Sequence, residues 1–401
     1  MNRNAWFCLV GGICSLMVAM GIGRFAYTPI LPLMQEDLRF SDAAAGYLAS
    51  SNYAGYFLGA MLTGVLPLRK RAGFFLRSSL AVSVATTCAM GFSLSYALML
   101  AVRFISGTAS AFAFVLASGI VLDRLAAAGK PRYAGFFYSG VGLGILLSTL
   151  FIPWFNRLWM WEGAWMGLSL LSGVLAIMAW LWVKDYPDGP KQKDGQTAVS
   201  HELPRKWFPC LVLAYGLEGL GYIVTGTFMV SFAEETPGLA ADPSMVWMVV
   251  GAAAVPSCIL WSAIANRRGH VKSLALAMLL QSVGIALPVF RPGPSGFIVS
   301  ALLFGATFMG ITTLAATLAR QMHPTGGNRM IGYLTASYAA GQMAGPAAAG
   351  WLLTCTRDFH SALLGAAGVV CAGGLLLASG VRRRGLTEPA EKGDPQAGTK
   401  I

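Results

Sequence analysis

Apolar positions gather in twelve long blocks separated by short polar stretches. The blocks lie near residues 6–34, 42–67, 74–95, 96–122, 133–156, 162–183, 207–235, 244–265, 273–290, 294–320, 330–354 and 360–381. A helix needs about 20 apolar residues to cross the hydrocarbon core of a bilayer. A chain in that core must satisfy its own backbone hydrogen bonds, so the blocks predict transmembrane helices. A membrane barrel would show shorter, alternating segments instead. The first block carries a single charge between Trp6 and Ile30. It lacks a small-residue cleavage site followed by polar sequence, so it reads as a retained span and not a cleaved signal.

The polar stretches divide the chain. The longest interior one, residues 184–206, is rich in Pro, Gly and charge and reads as a linker between two halves. The expected organisation is a six-helix bundle over 1–183, the linker, a second six-helix bundle over 207–381, and a polar tail over 382–401 that composition marks as disordered. The expected fold class is thus an all-α polytopic membrane protein with two pseudo-symmetric bundles.

Composition agrees. Of 401 residues, 56% are hydrophobic and 11% charged, with a mean hydropathy of +0.61; soluble domains carry about 25% charged residues. The net charge of +12 would suggest nucleic acid if it were clustered on a soluble surface. Instead 23 of the 29 Lys and Arg fall on one side of the alternating loops, against four on the other, Arg39, Arg157, Arg291 and Arg357. That split is the positive-inside pattern of an inner-membrane protein with both termini in the cytoplasm. It makes the bilayer the partner and leaves no nucleic-acid footprint. The seven cysteines form no CxxC pair and mostly lie within apolar blocks, where they read as small buried residues.

The halves repeat. Gly21-Ile-Gly23-Arg24 answers to Gly219-Leu-Gly221-Tyr222, "RYAGFFYSGVGLG" from Arg132 answers to "RMIGYLTASYAAG" from Arg329, and "LDR" ending at Arg124 answers to "LAR" ending at Arg320. The offsets are 198, 197 and 196 residues. Parallel six-helix repeats about an axis along the membrane normal are a transporter architecture.

Twelve blocks in two repeated halves joined by a polar loop resemble the major facilitator superfamily. "GIGRFAYTPILPLM" from Gly21, "YLASSNYAGYFLGA" from Tyr47 and "GLGY" from Gly219 resemble its YbfB/YjiJ-type branch. The chain departs from the superfamily in the loop after the second block. The usual pattern Gly-x-x-x-Asp-Arg-x-Gly-Arg meets "GVLPLRKRAG", in which Leu68 stands at the acid, Arg69 matches, and Arg71 replaces a glycine. The matching loop of the second half, "ANRRGH", also lacks the acid. The gating contact of that acid is therefore not expected here.

Three ionisable residues lie deep within blocks: Arg24 in the first, Arg103 in the fourth and Glu218 in the seventh. At 1.5 Å per helical residue they sit about 15, 10 and 16 Å from the nearer block ends. A charge at such depth costs about 2.5–3.5 kcal/mol on insertion scales, so each should face a bundle interior or a wet cavity and needs a partner. The resemblance implies that the first, fourth, seventh and tenth spans line a central cavity, and all three charges fall on such spans. Guanidinium grips carboxylate bidentately, so Arg24 and Arg103 point to an anionic small-molecule substrate. Glu218 can carry a proton and would couple transport to a proton gradient. A structural Arg–Glu bridge is the plainer alternative. Tyr27, Asn52, Tyr56, Tyr138, Tyr222, Tyr338 and Gln342 are candidate lining residues, with Tyr53 beside them; tyrosines at such depth also serve as packing. Pro29 and Pro32 are expected to bend the outer end of the first span.

The chain has no GxxxxGK[ST] loop, no HExxH and no GxSxG. Its four histidines lie in loops or at block ends. The reading is a monomeric secondary transporter with no cofactor or metal. Proton-driven drug or metabolite efflux, and a non-transporting sensor or scaffold, are the alternatives.

Overall fold

The computed structural model describes residues 3–66, 68–92, 95–130, 133–183, 207–322 and 327–385. The linker 184–206 and tail residues 386–401 lie outside them. The described chain is helical throughout. The first span is assembled from α1 (Arg3–Leu16), a π-helical segment (Met17–Ile22) and α2 (Tyr27–Leu38). There follow α3 (Asp42–Val65), α4 (Ala72–Ala89), α5 (Tyr96–Ala127) and α6 (Ala134–Trp182). The second half is α7 (Phe208–Glu234), α8 (Ser244–Arg268), α9 (His270–Phe290), α10 (Pro294–Met322), α11 (Gly327–Thr356) and α12 (Phe359–Gly385).

Among the described residues, nine helical stretches are long and apolar enough to cross a membrane. One of them, α6, is two rods. Its backbone leaves helical geometry at Trp159 (φ −147°) and Met160 (φ 52°), inside the gap between the blocks 133–156 and 162–183. The other two rods are α3 and α11, whose apolar faces are diluted by Ser, Thr, Asn and Gln. The outward surface is apolar at helical spacing, as on the second rod of α6, where Leu170, Val174, Ile177 and Leu181 are all exposed. Exposed apolar stripes of that length suit lipid, not water.

The repeat is visible in the packing. In the first half, Gly21 lies so close to Gly144 of α6 that a Cβ on Gly21 would sit 2.4 Å from the Gly144 Cα. In the second half, a Cβ on Gly341 of α11 would sit 2.3 Å from the Gly216 carbonyl and 3.2 Å from the Gly219 carbonyl carbon. Gly219 and Gly341 lie 198 and 197 residues beyond Gly21 and Gly144. Glycine is required at both crossings because backbone meets backbone.

The halves meet along α3 with α11, α6 with α8, and α2 with α7. The Ser50 hydroxyl donates to the Met343 carbonyl at 2.7 Å, and the Ala43 amide donates to Thr354 at 3.1 Å. Thr28 of α2 donates its hydroxyl to the carbonyl of Gly226 in α7, its counterpart 198 residues on. That contact places the pseudo-symmetry axis beside the site described next.

Candidate functional site

The first span is broken where the charge sits. Gly23 N donates to the Val18 carbonyl and Phe25 N to the Met20 carbonyl, both five residues back. Pro29 has no N–H for the Phe25 carbonyl, which accepts from Thr28 instead at 3.3 Å. Pro29 and Pro32 were expected to bend the outer end of the span. The distortion falls further back, through Met17–Ile22 and the turn residues 23–26, and it is a register change followed by a turn. Such a break leaves carbonyls without intrahelical donors, and α5 supplies them. Ser110 donates to the Ala19 carbonyl at 2.7 Å. Arg103 Nη1 and Ser106 Oγ both donate to the Gly23 carbonyl, each at 3.3 Å.

Arg24 projects from this break into a nest of rings. Its guanidinium carbon lies 4.5 Å from the Tyr56 ring centre, 4.6 Å from that of Tyr53 and 5.3 Å from that of Phe25. Cation–π contact of this kind, desolvated, is worth roughly 2 kcal/mol or more. Arg103 stands over Tyr27, 4.6 Å from its ring centre, and the Tyr27 hydroxyl donates to the Ala45 carbonyl at 2.9 Å. Asn52 ties α3 to α5 by donating its amide to the Arg103 carbonyl at 2.9 Å.

Both guanidinium groups are only 1–2% exposed. In each, Nε and Nη2 have no hydrogen-bond partner of good geometry, and the Tyr56 hydroxyl is a polar neighbour of the Arg24 guanidinium. Those two N–H groups point in parallel and form the edge that grips a carboxylate side-on. Among the described residues, no carboxylate lies within salt-bridge distance of either arginine, so the Arg–Glu bridge weighed from sequence is not formed here.

Glu218, wholly buried on α7, is the acidic counterpart. Neither carboxylate oxygen has a partner of good hydrogen-bond geometry; Gln281 of α9 and Tyr338 of α11 are its nearest polar neighbours. The Gln281 amide is itself buried with both polar atoms unpartnered. Tyr222 and Tyr338 are close enough to feel the charges of both Arg24 and Glu218, so these two rings join the arginine and glutamate clusters. Gln342 donates its amide to the Tyr222 hydroxyl. Tyr222 faces Phe304 and Phe308 of α10 in nearly parallel planes, and Tyr338 stacks on Tyr215 at 4.2 Å.

Of the residues singled out from sequence, Arg24, Tyr27, Asn52, Tyr56, Arg103, Glu218, Tyr222, Tyr338 and Gln342 are buried around this axis. Tyr138 is half-buried on α6 and packs on Phe114 and Phe137, with Tyr56 its link to the group. Tyr215, Gln281, Phe304 and Phe308 join the cluster without having been singled out. Gln281 carried a usable signal, a primary amide in the middle of an apolar block; the phenylalanines looked like any others.

A family profile described as "Uncharacterised MFS-type transporter YbfB" matches residues 16–378. The chain belongs to this family. It is a multi-pass membrane transporter of the major facilitator type and not an enzyme. It is 25% identical over 355 residues to the uncharacterised MFS-type transporter YceJ of Bacillus subtilis, covering 86% of this chain and 89% of YceJ. It is 26% identical over 200 residues to the niacin transporter NiaP of Acinetobacter baylyi, covering 48% of this chain and 43% of NiaP. The structure of the nucleoside transporter NupG superposes with a TM-score of 0.69 at 16% identity, covering 94% of this chain and 99% of NupG, a likeness of fold. The YbfB-type assignment agrees with the branch that "GIGRFAYTPILPLM" resembled.

Proposed function

We propose that this YbfB-type transporter moves a small organic anion across the inner membrane by alternating access, coupled to protons. The observation that carries the reading is the pair of buried arginines whose Nε–Nη2 edges lack a well-placed acceptor, with no carboxylate within salt-bridge distance among the described residues. An uncompensated buried cation is costly, and a protein that keeps two of them close to one axis uses them. A substrate carboxylate at Arg24 supplies the missing acceptor. Arg103 holds the broken backbone that presents Arg24, with Tyr27 and Asn52 as its supports. Tyr56, Tyr222, Tyr338 and Gln342 line the path, and Tyr138 backs Tyr56.

Glu218 is the proton carrier. It is the one acid deep in an apolar block, and its carboxyl shares Tyr338 and Tyr222 with Arg24. Proton binding at Glu218 and anion binding at Arg24 then act on the same pair of rings. The bundles 1–183 and 207–381 rock about the contacts of α3 with α11 and of α6 with α8, with both termini and residues 184–206 in the cytoplasm. One chain suffices for the cycle. NiaP and NupG, named for a vitamin and for nucleosides, support a small organic solute. Efflux of cationic drugs is disfavoured because arginine outnumbers acid around the axis.

The test is uptake into proteoliposomes under an imposed proton gradient, with a panel of radiolabelled carboxylates and their neutral amides. Accumulation of a carboxylate but not of its amide supports the reading. Equal transport of the amide overturns it.

A further inference from the structure

We infer that the anion is a planar aromatic monocarboxylate, bound with its carboxylate on Arg24 and its ring against the aromatic column of α7, α10 and α11. This rests on the anion reading above and adds the shape of the rest of the molecule.

The column is unusual in its alignment. Tyr215 and Tyr338 lie 4.2 Å apart with planes 10° from parallel. Tyr338 and Tyr222 follow at 5.5 Å and 9°, Tyr222 and Phe308 at 6.2 Å and 11°, and Phe304 and Phe308 at 5.9 Å and 15°. Three helices thus present ring faces in one orientation. Aromatic side chains in ordinary packing meet edge-on as readily as in offset stacks. A run of parallel faces is suited to receive another flat ring.

The column begins one residue from the cation. Phe25, next to Arg24, sets its ring edge-on to Phe308 at 5.9 Å and lies 6.3 Å from Trp247. Tyr222 and Tyr338 of the column also lie close enough to Arg24 to feel its charge, so a carboxylate on the Nε–Nη2 edge of Arg24 is near the column. The rings of Tyr53 and Tyr56 cover the guanidinium from α3. The first half contributes the charge and the second half the flat surface, so one ligand of this shape bridges the bundles. A short aliphatic acid would satisfy Arg24 and leave the column packed on itself. A branched or puckered acid of equal size would meet the parallel faces with the wrong thickness. Glu218, beside Tyr338, faces the same column, which links a ligand's position to the proton site.

The experiment is thermal-shift titration of the purified full chain with benzoate, cyclohexanecarboxylate and benzamide. Benzoate should stabilise the protein about threefold to tenfold more tightly than cyclohexanecarboxylate, the range that ring stacking adds beyond area. Benzamide should not stabilise it. Comparable binding of the two carboxylates overturns the aromatic inference and leaves the anion reading standing. Comparable binding of benzamide overturns the anion reading. Stabilisation by none of the three overturns both. Phe308→Leu and Tyr222→Leu test the column itself. Each should abolish the preference for benzoate while cyclohexanecarboxylate still binds, which also shows that the variant is folded. A preference that survives both substitutions removes the column from the site.

Discussion

Arg103 donates from Nη1 to the backbone carbonyl of Gly23, the residue immediately before Arg24, at 3.3 Å. One buried arginine thereby fixes the backbone that aims the other. The two cations differ in task, and their substitutions should differ in kind.

Arg103→Leu should destabilise the protein, because the Gly23 carbonyl keeps only Ser106 and the break loses a charged donor. Such a hydrogen bond is worth about 2 kcal/mol. Thermal unfolding of the purified protein in detergent measures it, and an unchanged melting temperature would remove Arg103 from its supporting role.

Arg24→Met should act on binding. It removes the Nε–Nη2 edge that the substrate carboxylate would use while an apolar side chain of similar length still fills the nest of Phe25, Tyr53 and Tyr56. The variant is expected to fold and to lose substrate binding. Arg24→Lys should keep the charge but weaken binding by roughly tenfold, because an ammonium lacks the planar fork. Equal affinity in Arg24→Lys would mean that the fork is not used.

Much of this was legible in the sequence, and the limits are physical. The helical blocks follow from hydropathy and length, and the gap near 157–161 foreshadowed the break at Trp159 and Met160. The depth of Arg24, Arg103 and Glu218 follows from position along an apolar block. What those side chains touch did not follow. Proline marks where a donor is missing, but neighbouring residues decide where the register yields; here the π-helical turn begins at Met17, well before Pro29. Serine on a helix usually bonds its own preceding turn, and nothing local in "FISGTAS" says that Ser106 and Ser110 reach across to Gly23 and Ala19. The aromatic column draws Tyr215, Tyr222, Phe304, Phe308 and Tyr338 from three helices, and only their packing reveals that the rings are parallel. Leu68 is buried where the superfamily carries an acid, so that loop presents an apolar side chain in its place.

The contact between the halves gives a test of rocking. Gly142 of α6 lies against α8 so closely that a Cβ would meet the Val255 nitrogen at 2.7 Å and the Gly251 oxygen at 2.9 Å. Gly142→Val overpacks this crossing and should disfavour the arrangement by about 1–3 kcal/mol. In a background without native cysteines, Ser50→Cys and Met343→Cys report the same arrangement, since their parents are hydrogen-bonded across the halves. Cross-linking of that pair should fall several-fold when Gly142→Val is added; unchanged cross-linking would mean that the crossing does not set the state.

Asp358 caps α12, accepting from the amides of His360 at 3.0 Å and Ser361 at 3.1 Å. These bonds, the His360 amide first, hold its carboxyl below the usual aspartate range. A depressed carboxyl stabilises the fold above the unfolded value and loses that contribution as pH falls through the folded one. The protection of amides in the first turn of α12, measured against their intrinsic exchange rates at each pH, should therefore fall as the pH drops below the ordinary aspartate range. In Asp358→Ala that protection should be low at every pH.

Topology is tested through the linker. Gly195→Cys, in a chain without other cysteines, should resist an impermeant thiol reagent in intact cells and react after permeabilisation. Labelling in intact cells would invert the orientation read from the 23-to-4 charge split.

The most direct measurement is proton uptake driven by substrate. Proteoliposomes loaded with a pH-sensitive dye should acidify when a transported carboxylate is added outside, and Arg24→Gln should abolish the signal. Glu218→Gln should abolish acidification and pH-driven accumulation while preserving exchange of labelled for unlabelled substrate. Accumulation in Glu218→Gln with unchanged pH dependence, or carboxylate uptake in Arg24→Gln at the parent rate, would contradict the account.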